Sequence, residues 1–374
     1  MHYFSDPLDG DAAQWKATLG SKGASLKQMS HAGLRVPPGF TISTACCGEY
    51  FVQQHQWPAG LEEQLRANLA RLERETGQTL GRGARPLLVS VRSGAAASMP
   101  GMMDTLLNCG LHPGLADDVG DTPHFWRLYL QFVQSFAKTV AGLDADKFVV
   151  PPLGDISSHE VEPQADRLKA ELRTGRETTL ANLEMYERLS GRPFPTEPWP
   201  ALVQCIDAVF ESWNSQRAAL YRQRHDIRGL QGTAVNVQMM FPSEVSGVLF
   251  TEDPSQPAAG QMVIEASYGL GESVVSGEVT PDRFVLRRHD GSLVSQQIGH
   301  KAAVVVALGP DFVRDPDAAS LGPPQLEELY RLALQVERHF GHAVDVEWGW
   351  ADGRFALLQA RPIRHLDSVR EVER

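Results

Sequence analysis

Four polar residues near the end of the sequence have the types and the spacing to bind a metal ion together with a phosphate. Asp345 and Glu347 alternate with apolar residues, so a β-strand would place both carboxylates on one face. An Asp-Gly pair at Asp352 predicts a turn, and Gln359 and Arg361 share a face of the returning strand. A three-residue loop beginning at Asp352 would put Glu347 opposite Gln359. The same loop would put Asp345 opposite Arg361, so that all four side chains converge.

A cluster of this kind suits magnesium and a polyphosphate. Carboxylate and amide oxygens are hard ligands for Mg2+, and a guanidinium can bind phosphate oxygens through two parallel hydrogen bonds. Phosphoryl transfer requires chiefly alignment of the reactants and neutralisation of charge. The alternative is a solvated hairpin in which Asp345 and Arg361 form a surface ion pair of small energetic value. Because strands normally carry polar residues on an outward face, this segment alone leaves both interpretations open.

Two basic residues near the other end of the chain could also bind phosphate. Lys22 lies between glycines before a predicted helix, where backbone amides and an ammonium could act together, although the spacing is not that of a Walker A loop. The alternative is a glycine turn with a surface lysine. Arg92 ends an apolar strand and leads into Ser93–Asp104, whose methionines could pack against a planar base or simply fill the core. Gly269–Glu272 could contact phosphate or form only a tight turn.

Helices and strands must position these residues. Apolar residues at helical spacing predict helices at Leu26–Gly33, Leu61–Leu72, Phe125–Phe136, Leu202–Trp213 and Leu326–Phe340. Apolar runs predict strands at Leu87–Val91, Ala234–Met240, Gly247–Thr251, Met262–Ala266 and Phe284–Arg287. A polar stretch ends in the prolines of residues 193–200, which indicates a boundary between subdomains. We therefore expect one part of the fold at residues 1–200 and another at 201–374.

Composition narrows the class of protein. A chain of 374 residues predicts two or three packed subdomains, and 42% hydrophobic with 22% charged residues is typical of a soluble globular protein. The net charge of -11 argues against a nucleic-acid surface but allows a local basic pocket. The four cysteines lack the spacing of a zinc site or a disulfide framework. Without a basic leader or a run of ~20 apolar residues, we expect a cytoplasmic protein that does not enter a membrane.

Several motifs along the chain carry a family resemblance. They are Gly20-Ser21-Lys22-Gly23-Ala24-Ser25-Leu26, Val36-Pro37-Pro38-Gly39-Phe40, Leu88–Gly94, Ser98–Thr105, Phe210-Glu211-Ser212-Trp213-Asn214, Gly232–Gln238, Ser246–Thr251 and Ala266–Glu272. Together with the terminal hairpin, they resemble the N-terminal nucleotide-binding domain of pyruvate phosphate dikinase, phosphoenolpyruvate synthase and their relatives. The first six look like the dikinase or are shared, whereas the last two look closer to the synthase.

The resemblance implies an α+β fold of the ATP-grasp type, with two to three subdomains and the nucleotide site between them. It implies ATP and Mg2+ as cofactors. By matched motif position, it implies that Lys22, Arg92, Asp345 and Arg361 contact phosphate and are catalytic. It further implies that Gln238 and Met240 line the adenine site and that Glu265 contacts the nucleotide. Glu347 and Gln359 are implied as the magnesium ligands.

In the enzymes of this family, the domain transfers the terminal diphosphate part of ATP to a histidine on a mobile domain, and AMP and then phosphate are released. The phosphohistidine loop, which ends in Thr-Ser-His-Ala, does not occur in this sequence, and the similar tripeptide at His31 belongs to the opening helix. We therefore expect a dikinase-like phosphotransferase subunit that requires a separate protein with a phosphohistidine domain. Phenylphosphate synthase, which resembles phosphoenolpyruvate synthase divided among subunits, is a model for this arrangement. That partner would bind the small-molecule acceptor, which could be pyruvate, a phenol or another hydroxyl compound.

Three alternatives remain at this point. The chain could be a stand-alone ATP-dependent kinase that acts directly on a small molecule. It could be a noncatalytic nucleotide-sensing module, although a binding module does not need the transition-state groups that this sequence retains. It could also be a piece of a longer enzyme.

Overall fold

The computed structural model describes residues 1–7, 9–97, 99, 105–143, 164–271, 279–301, 307–308 and 315–363. These residues form an α+β structure with two antiparallel sheets, which agrees with the predicted α+β class. Their contacts divide the chain into two compact units, one made of Met1–Ala24 and Pro38–Met240 and the other of Ser25–Pro37 and Phe241–Arg374.

The first unit contains a five-stranded sheet with the order β1-β2-β5-β3-β4. Its strands are β1 (His2–Tyr3), β2 (Gly39–Ile42), β3 (Val89–Gly94), β4 (Thr105–Cys109) and β5 (Ala234–Met239). The valines of β3 and β5 are fully buried. The helix Pro123–Ala141 packs against β4, and the helix Pro198–Ser212 packs against β3, β4 and β5. Alternating residues of the same strands are polar, so the apolar and polar residues of this sheet lie on opposite faces.

Helices accompany this sheet. They are α1 (Ala12–His31), which belongs to this unit as far as Ala24, α2 (Thr44–Val52), α3 (Leu61–Thr76), α4 (Ala116–Val119), α5 (Pro123–Ala141), α6 (Gln164–Ser190), α7 (Pro198–Ser212) and α8 (Gln216–Arg224). The four leucines that predicted α3 are all buried, and the Thr122 side chain caps α5 by accepting a hydrogen bond from the Phe125 amide. The predicted helices of this region are confirmed.

The boundary expected near residue 200 lies inside the first unit. Strand β5, which follows that point in the sequence, is inserted between β2 and β3 in the first sheet. The polar stretch before residue 200 also contains α6, which packs against α5. The polar composition reflects the exposed side of this helix. The contacts instead divide the chain between Met240 and Phe241, and they also assign Ser25–Pro37 to the second unit.

The second unit contains a six-stranded sheet with the order β11-β10-β6-β7-β8-β9. Its strands are β6 (Val245–Phe250), β7 (Gln261–Tyr268), β8 (Asp282–Arg287), β9 (Leu293–Gln297), β10 (Val344–Ala351) and β11 (Arg354–Pro362). Helix α9 (Pro323–Phe340) ends at Gly341, which has a φ of 74°, as its sequence predicts.

Helix α9 covers the apolar side of β10. Leu329, Ala333 and Val336 of the helix line a small gap with Val346 and Trp348 of the strand. Because side chains alternate along a strand, Asp345 and Glu347 lie on the side of β10 that α9 does not cover. The fold of this unit thus presents the acidic residues of the terminal hairpin on a face separate from its core.

Within the described ranges, no helix is both long and apolar enough to cross a membrane. The four cysteines are free thiols, and three of them are buried.

Candidate functional site

The terminal hairpin brings together the four polar residues that its sequence pattern singled out. Glu347 of β10 lies opposite Gln359 of β11, and Asp345 lies opposite Arg361. Residues paired across an antiparallel ladder have their side chains on the same face of the sheet. The predicted convergence of these side chains is therefore present in the structure.

The turn that joins the two strands is not the expected three-residue loop. Ala351 pairs with Arg354, so the loop contains only Asp352 and Gly353, whose φ angles of 50° and 72° suit a tight hairpin turn. A two-residue loop alone would place Glu347 opposite Leu358. The register instead shifts beside Glu347, where Leu358 is the extra residue of a β-bulge.

Asp345 and Arg361 form a close ion pair. The Arg361 Nε donates to Asp345 Oδ2 over 2.6 Å, and the Asp345 side chain is 10% exposed whereas that of Arg361 is 52% exposed. The interpretation as an ordinary surface pair does not fit a carboxylate this deeply buried. Asp345 Oδ1 is also buried and has no hydrogen-bond partner among the described residues. One oxygen of this carboxylate is thus held by the guanidinium, and the other retains its capacity to bind.

Burial raises the pKa of Asp345 above its ordinary value, since the charged form loses contact with water. Arg361 opposes this shift, and the neighbouring carboxylate of Glu347 adds to it. A cation or a hydrogen-bond donor beside Asp345 Oδ1 would relieve this cost. The electrostatics of the hairpin therefore favour a ligand that carries positive charge or donor groups toward its acidic side.

Glu265 lies on the same face of the second sheet. It pairs with Val248, which in turn pairs with Glu347, so one strand separates the two glutamates. Two inter-strand spacings place their backbones about 10 Å apart. Glu265 is thus near the four hairpin residues but not in direct register with them. We call Glu265, Asp345, Glu347, Gln359 and Arg361 the acidic face.

The acidic face carries oxygen donors of the kind that bind magnesium. Glu347 and Gln359 are directly paired in the ladder, and neither side chain is hydrogen-bonded to another described residue, so a carboxylate and an amide oxygen are available. No group of three or more histidine, cysteine, aspartate or glutamate side chains suited to a metal occurs among the described residues. This donor set fits Mg2+, which is commonly held by one or two protein oxygens together with substrate phosphates and water.

In the first unit, Lys22 lies within α1 rather than before a helix. The helical backbone is interrupted at Gly20, which has φ 68° and ψ 172°, and it resumes with Ser21. The Ser21 amide and hydroxyl both donate to the Ala95 carbonyl, over 3.0 and 2.9 Å. These bonds tie the turn of helix that carries Lys22 to the end of β3, only a few residues from Arg92.

Arg92 and Gln238 lie on one face of the first sheet. Arg92 pairs with Asn236 and Ser90 with Gln238, so these alternating residues of β3 and β5 point to the same side. Arg92 is half-buried and forms no ion pair with another described residue, whereas Gln238 is 2% exposed. We call Lys22, Thr41, Arg92, Asn236 and Gln238 the basic face, because two of its five members are the cations that the resemblance assigns to phosphate.

The structure describes some of the remaining predicted site residues and not others. Met240 follows β5, where its amide donates to the Leu88 carbonyl over 2.8 Å, and its side chain is half-buried. Met99 is buried, which fits the core-filling interpretation for that residue. The other residues of Ser98–Asp104, and Glu272 of the Gly269–Glu272 turn, lie outside the described residues.

Two residues of the basic face were not singled out from the sequence. Thr41 Oγ1 donates to Asn236 Oδ1 over 2.8 Å, and both side chains are almost fully buried. The alternation along β5 could have indicated Asn236, because it stands two residues before Gln238 and so shares its face. Thr41 gave no comparable signal, since its position beside Asn236 depends on the pairing of β2 with β5.

The chain has clear relatives among known proteins. The family model for the pyruvate phosphate dikinase AMP/ATP-binding domain matches residues 50–373. The pyruvate, phosphate dikinase of Rhizobium meliloti (strain 1021) is 36% identical over 372 residues, an alignment that covers 94% of this chain and 38% of the relative. Pyruvate, phosphate dikinase 2 of Oryza sativa subsp. japonica is 39% identical over 383 residues, which covers 96% of this chain and 38% of the relative. The chloroplastic pyruvate, phosphate dikinase 1 of Arabidopsis thaliana is 38% identical over 369 residues, with coverage of 92% and 33%.

The family match covers the acidic face completely and the basic face only in part. The family match includes Arg92 and the whole acidic face but begins after Lys22. The chain spans 38% of the length of the Rhizobium relative and 33% of the Arabidopsis relative.

Proposed function

Because the chain belongs to the pyruvate phosphate dikinase AMP/ATP-binding domain family, we propose that it binds ATP with Mg2+ and transfers the terminal diphosphate part of ATP to a histidine. In this reaction, a histidine nitrogen forms a bond to the β-phosphorus. The bond between that phosphorus and the oxygen bridging to the α-phosphate breaks, and AMP leaves with the bridging oxygen. Hydrolysis then removes the terminal phosphate and leaves a phosphohistidine.

The observation that carries this proposal is the register of β10 and β11. It brings the carboxylate of Glu347 and the amide of Gln359 side by side, next to the paired Asp345 and Arg361, which supports our proposal that the first two are oxygen ligands of Mg2+. When bound, Mg2+ would neutralise charge on the phosphate oxygens. Arg361 is half-exposed, so its remaining N–H groups can donate to phosphate while Asp345 orients its side chain.

The basic face supplies the groups proposed to bind the rest of the polyphosphate. Lys22 and Arg92 contribute positive charge, and such charge stabilises a phosphoryl-transfer transition state if it is held in place beforehand. The hydrogen bonds of Ser21 to Ala95 and the ladder around Arg92 provide that fixed placement within the first unit. We further propose that Gln238 and Met240 line the adenine site and that Glu265 contacts the nucleotide. We also propose that the chain has a fold of the ATP-grasp type.

The histidine acceptor is proposed to be carried by a partner protein. None of the twelve histidines of this sequence lies in a loop ending in Thr-Ser-His-Ala. In our proposal, the partner's phosphohistidine passes the phosphoryl group to pyruvate, a phenol or another hydroxyl compound, which the partner binds. If the phosphorylated histidine instead lies in a further segment of the same polypeptide, the proposal of a separate partner protein is wrong, but the proposed ATP chemistry is unaffected.

The test combines the chain with a phosphohistidine domain, Mg2+ and ATP labelled in the β-phosphate. We expect AMP as the nucleotide product and an acid-labile label on the domain. An Arg361→Met variant should form both products more slowly than the wild type does. Substitution of the exposed Glu63 by Gln should leave both rates unchanged.

Each alternative has its own result in this assay. ADP as the only nucleotide product, formed without the added domain and with a small hydroxyl compound present, would indicate a stand-alone kinase. Binding of ATP without any nucleotide product would indicate a noncatalytic nucleotide-sensing module.

A further inference from the structure

The side chain of Asn236 is enclosed at the centre of the basic face. It is 1% exposed, and its strand position pairs with Thr41 on one side and with Arg92 on the other. Thr41 Oγ1 donates to its Oδ1, which fixes the orientation of the amide. Its Nδ2 is buried and has no hydrogen-bond partner among the described residues. A buried donor without a partner is unfavourable, so hydrogen bonding alone does not account for an asparagine at this position.

The shape of the Asn236 amide does account for it, because two glycines leave room for that group. A Cβ added to Gly94 would lie 2.7 Å from Asn236 Nδ2, and one added to Gly23 would lie 2.8 Å from Asn236 Oδ1. Neither glycine has the positive φ that would require glycine for conformational reasons. Both positions therefore need glycine for space, and the amide occupies that space.

These two glycines belong to the segments that carry the two cations of the basic face. Gly23 follows Lys22 in α1, and Gly94 follows Arg92 by two residues in β3. Lys22 Cβ lies only 3.6 Å from the position that a Cβ on Gly94 would occupy. A third glycine, Gly20, approaches so closely that a Cβ there would overlap the Gly94 carbonyl oxygen at 1.5 Å. The amide of Asn236 thus lies between the backbones that carry Lys22 and Arg92.

We propose that Asn236 is a positioning residue: its amide, held by Thr41 and packed between Gly23 and Gly94, sets the distance between Lys22 and Arg92 for binding the phosphates of ATP. This inference rests on the proposed ATP-binding function. It gives the glycines of the Lys22 and Arg92 motifs a common role, which is to admit one side chain from a strand distant in sequence.

The test is a double-mutant cycle between Gly94 and Asn236, with the affinity for ATP and Mg2+ measured by calorimetry and the melting temperature measured for each variant. Gly94→Ala places a methyl group against Nδ2, displaces the helix turn of Lys22 and should weaken ATP binding by about 10- to 100-fold. In Asn236→Ala the space is empty, so adding Gly94→Ala to it should cause little further loss. Additive effects of the two substitutions on affinity and melting temperature would overturn the proposal.

A second cycle separates positioning from general damage to the fold. In a Lys22→Met background, Gly94→Ala should weaken ATP binding much less than it does in the wild type, because the cation that it displaces is already absent. An equal loss in both backgrounds would show that Gly94→Ala acts only through stability. Gly175→Ala is the control for a glycine substitution, since among the described residues outside its own helix a Cβ there would meet only Trp126 Cβ, at an ordinary distance of 3.5 Å.

Failure of the proposed function gives a different result from failure of this inference. If the wild-type chain does not bind ATP with Mg2+, the proposed function is wrong and the role of Asn236 in phosphate binding is wrong with it. If the wild type binds ATP and the cycles are additive, only the role of Asn236 is wrong.

Discussion

Glu347 faces Gln359 across the β10–β11 hairpin because a single extra residue, Leu358, is accommodated in a bulge. On the turn side of the bulge the pairing follows a two-residue loop, and beyond it every pair is shifted by one position. Since side chains alternate with a period of two, this shift decides whether the amide and the guanidinium lie on the acidic face or on the face that α9 covers.

Deletion of Leu358 should therefore preserve the cross-strand pairs of the acidic face. Without the extra residue, a regular two-residue hairpin still pairs Glu347 with Gln359 and Asp345 with Arg361. Deletion of Ala360, also apolar and in the same strand, can preserve only one of these pairs, whether or not the bulge persists. Calorimetry should show that the Leu358 deletion binds ATP with Mg2+ within about tenfold of the wild type and that the Ala360 deletion loses about 100-fold or more. Equal losses in the two deletions would contradict this use of the bulge.

Substitution of Glu347 by Gln should impair catalysis and its dependence on Mg2+. The variant keeps the size of the side chain and its pairing with Gln359, but the hairpin loses the carboxylate that lies beside the Asp345–Arg361 pair. We expect AMP formation to fall by about 100- to 1,000-fold, the loss typical when one charge-stabilising group is removed. A titration of activity with Mg2+ should also require higher concentrations for half-saturation. An unchanged Mg2+ titration would assign the metal to other residues.

Substitution of Asp345 by Asn should raise the stability of the folded chain at neutral pH. Burial raises the pKa of Asp345 in the folded state, so the folded chain binds this proton more tightly than the unfolded chain does. Stability therefore decreases as pH rises from the ordinary aspartate pKa of about 3.9 through the folded value, and the loss is complete above it. The asparagine variant lacks this loss and can still accept from Arg361.

The difference in melting temperature between the Asp345→Asn variant and the wild type should accordingly grow in favour of the variant between about pH 4 and neutrality. Thermal scans of both proteins without nucleotide, across this interval, measure it. A difference that stays constant with pH would mean that Asp345 does not titrate differently in the folded chain.

A buried ion pair in the second unit should be important for stability. Lys301 Nζ and Asp282 Oδ1 are 2.6 Å apart, and both side chains are fully buried. The Asp282 carboxylate also accepts hydrogen bonds from the Gly299 and Ser320 amides, over 2.9 and 2.6 Å. Lys301→Met would leave this carboxylate without its cation and should lower the free energy of unfolding by about 3–5 kcal/mol in a denaturant titration.

Adding Asp282→Asn to that variant should recover part of the loss, because the remaining group is then neutral and can still accept a hydrogen bond. If the double variant is less stable than Lys301→Met alone, the charge left behind is not the cause of the destabilisation.

Sequence alone determined the alternation of apolar and polar residues, and with it much of the site. Asp345 and Glu347 had to share a face in any strand, and the family match follows from motifs that are visible without coordinates. The helices with regular apolar spacing, such as α3 and α9, were likewise predictable, because each must bury one stripe of its own surface.

Tertiary structure decided the features that depend on contacts between distant segments. The predicted pairing of Glu347 with Gln359 is correct, but the bulge that produces it could not be read from a pattern that a three-residue loop satisfies equally well. Strand β5 lies between β2 and β3 in the first sheet, so the first unit extends to Met240 and includes the boundary predicted near residue 200. The sequence pattern did not predict this, because strand order is set by packing. The amide of Asn236 meets Gly23 and Gly94 only in the folded chain, since these three residues lie on segments far apart in sequence and come together only by strand pairing and by the packing of α1 on the sheet.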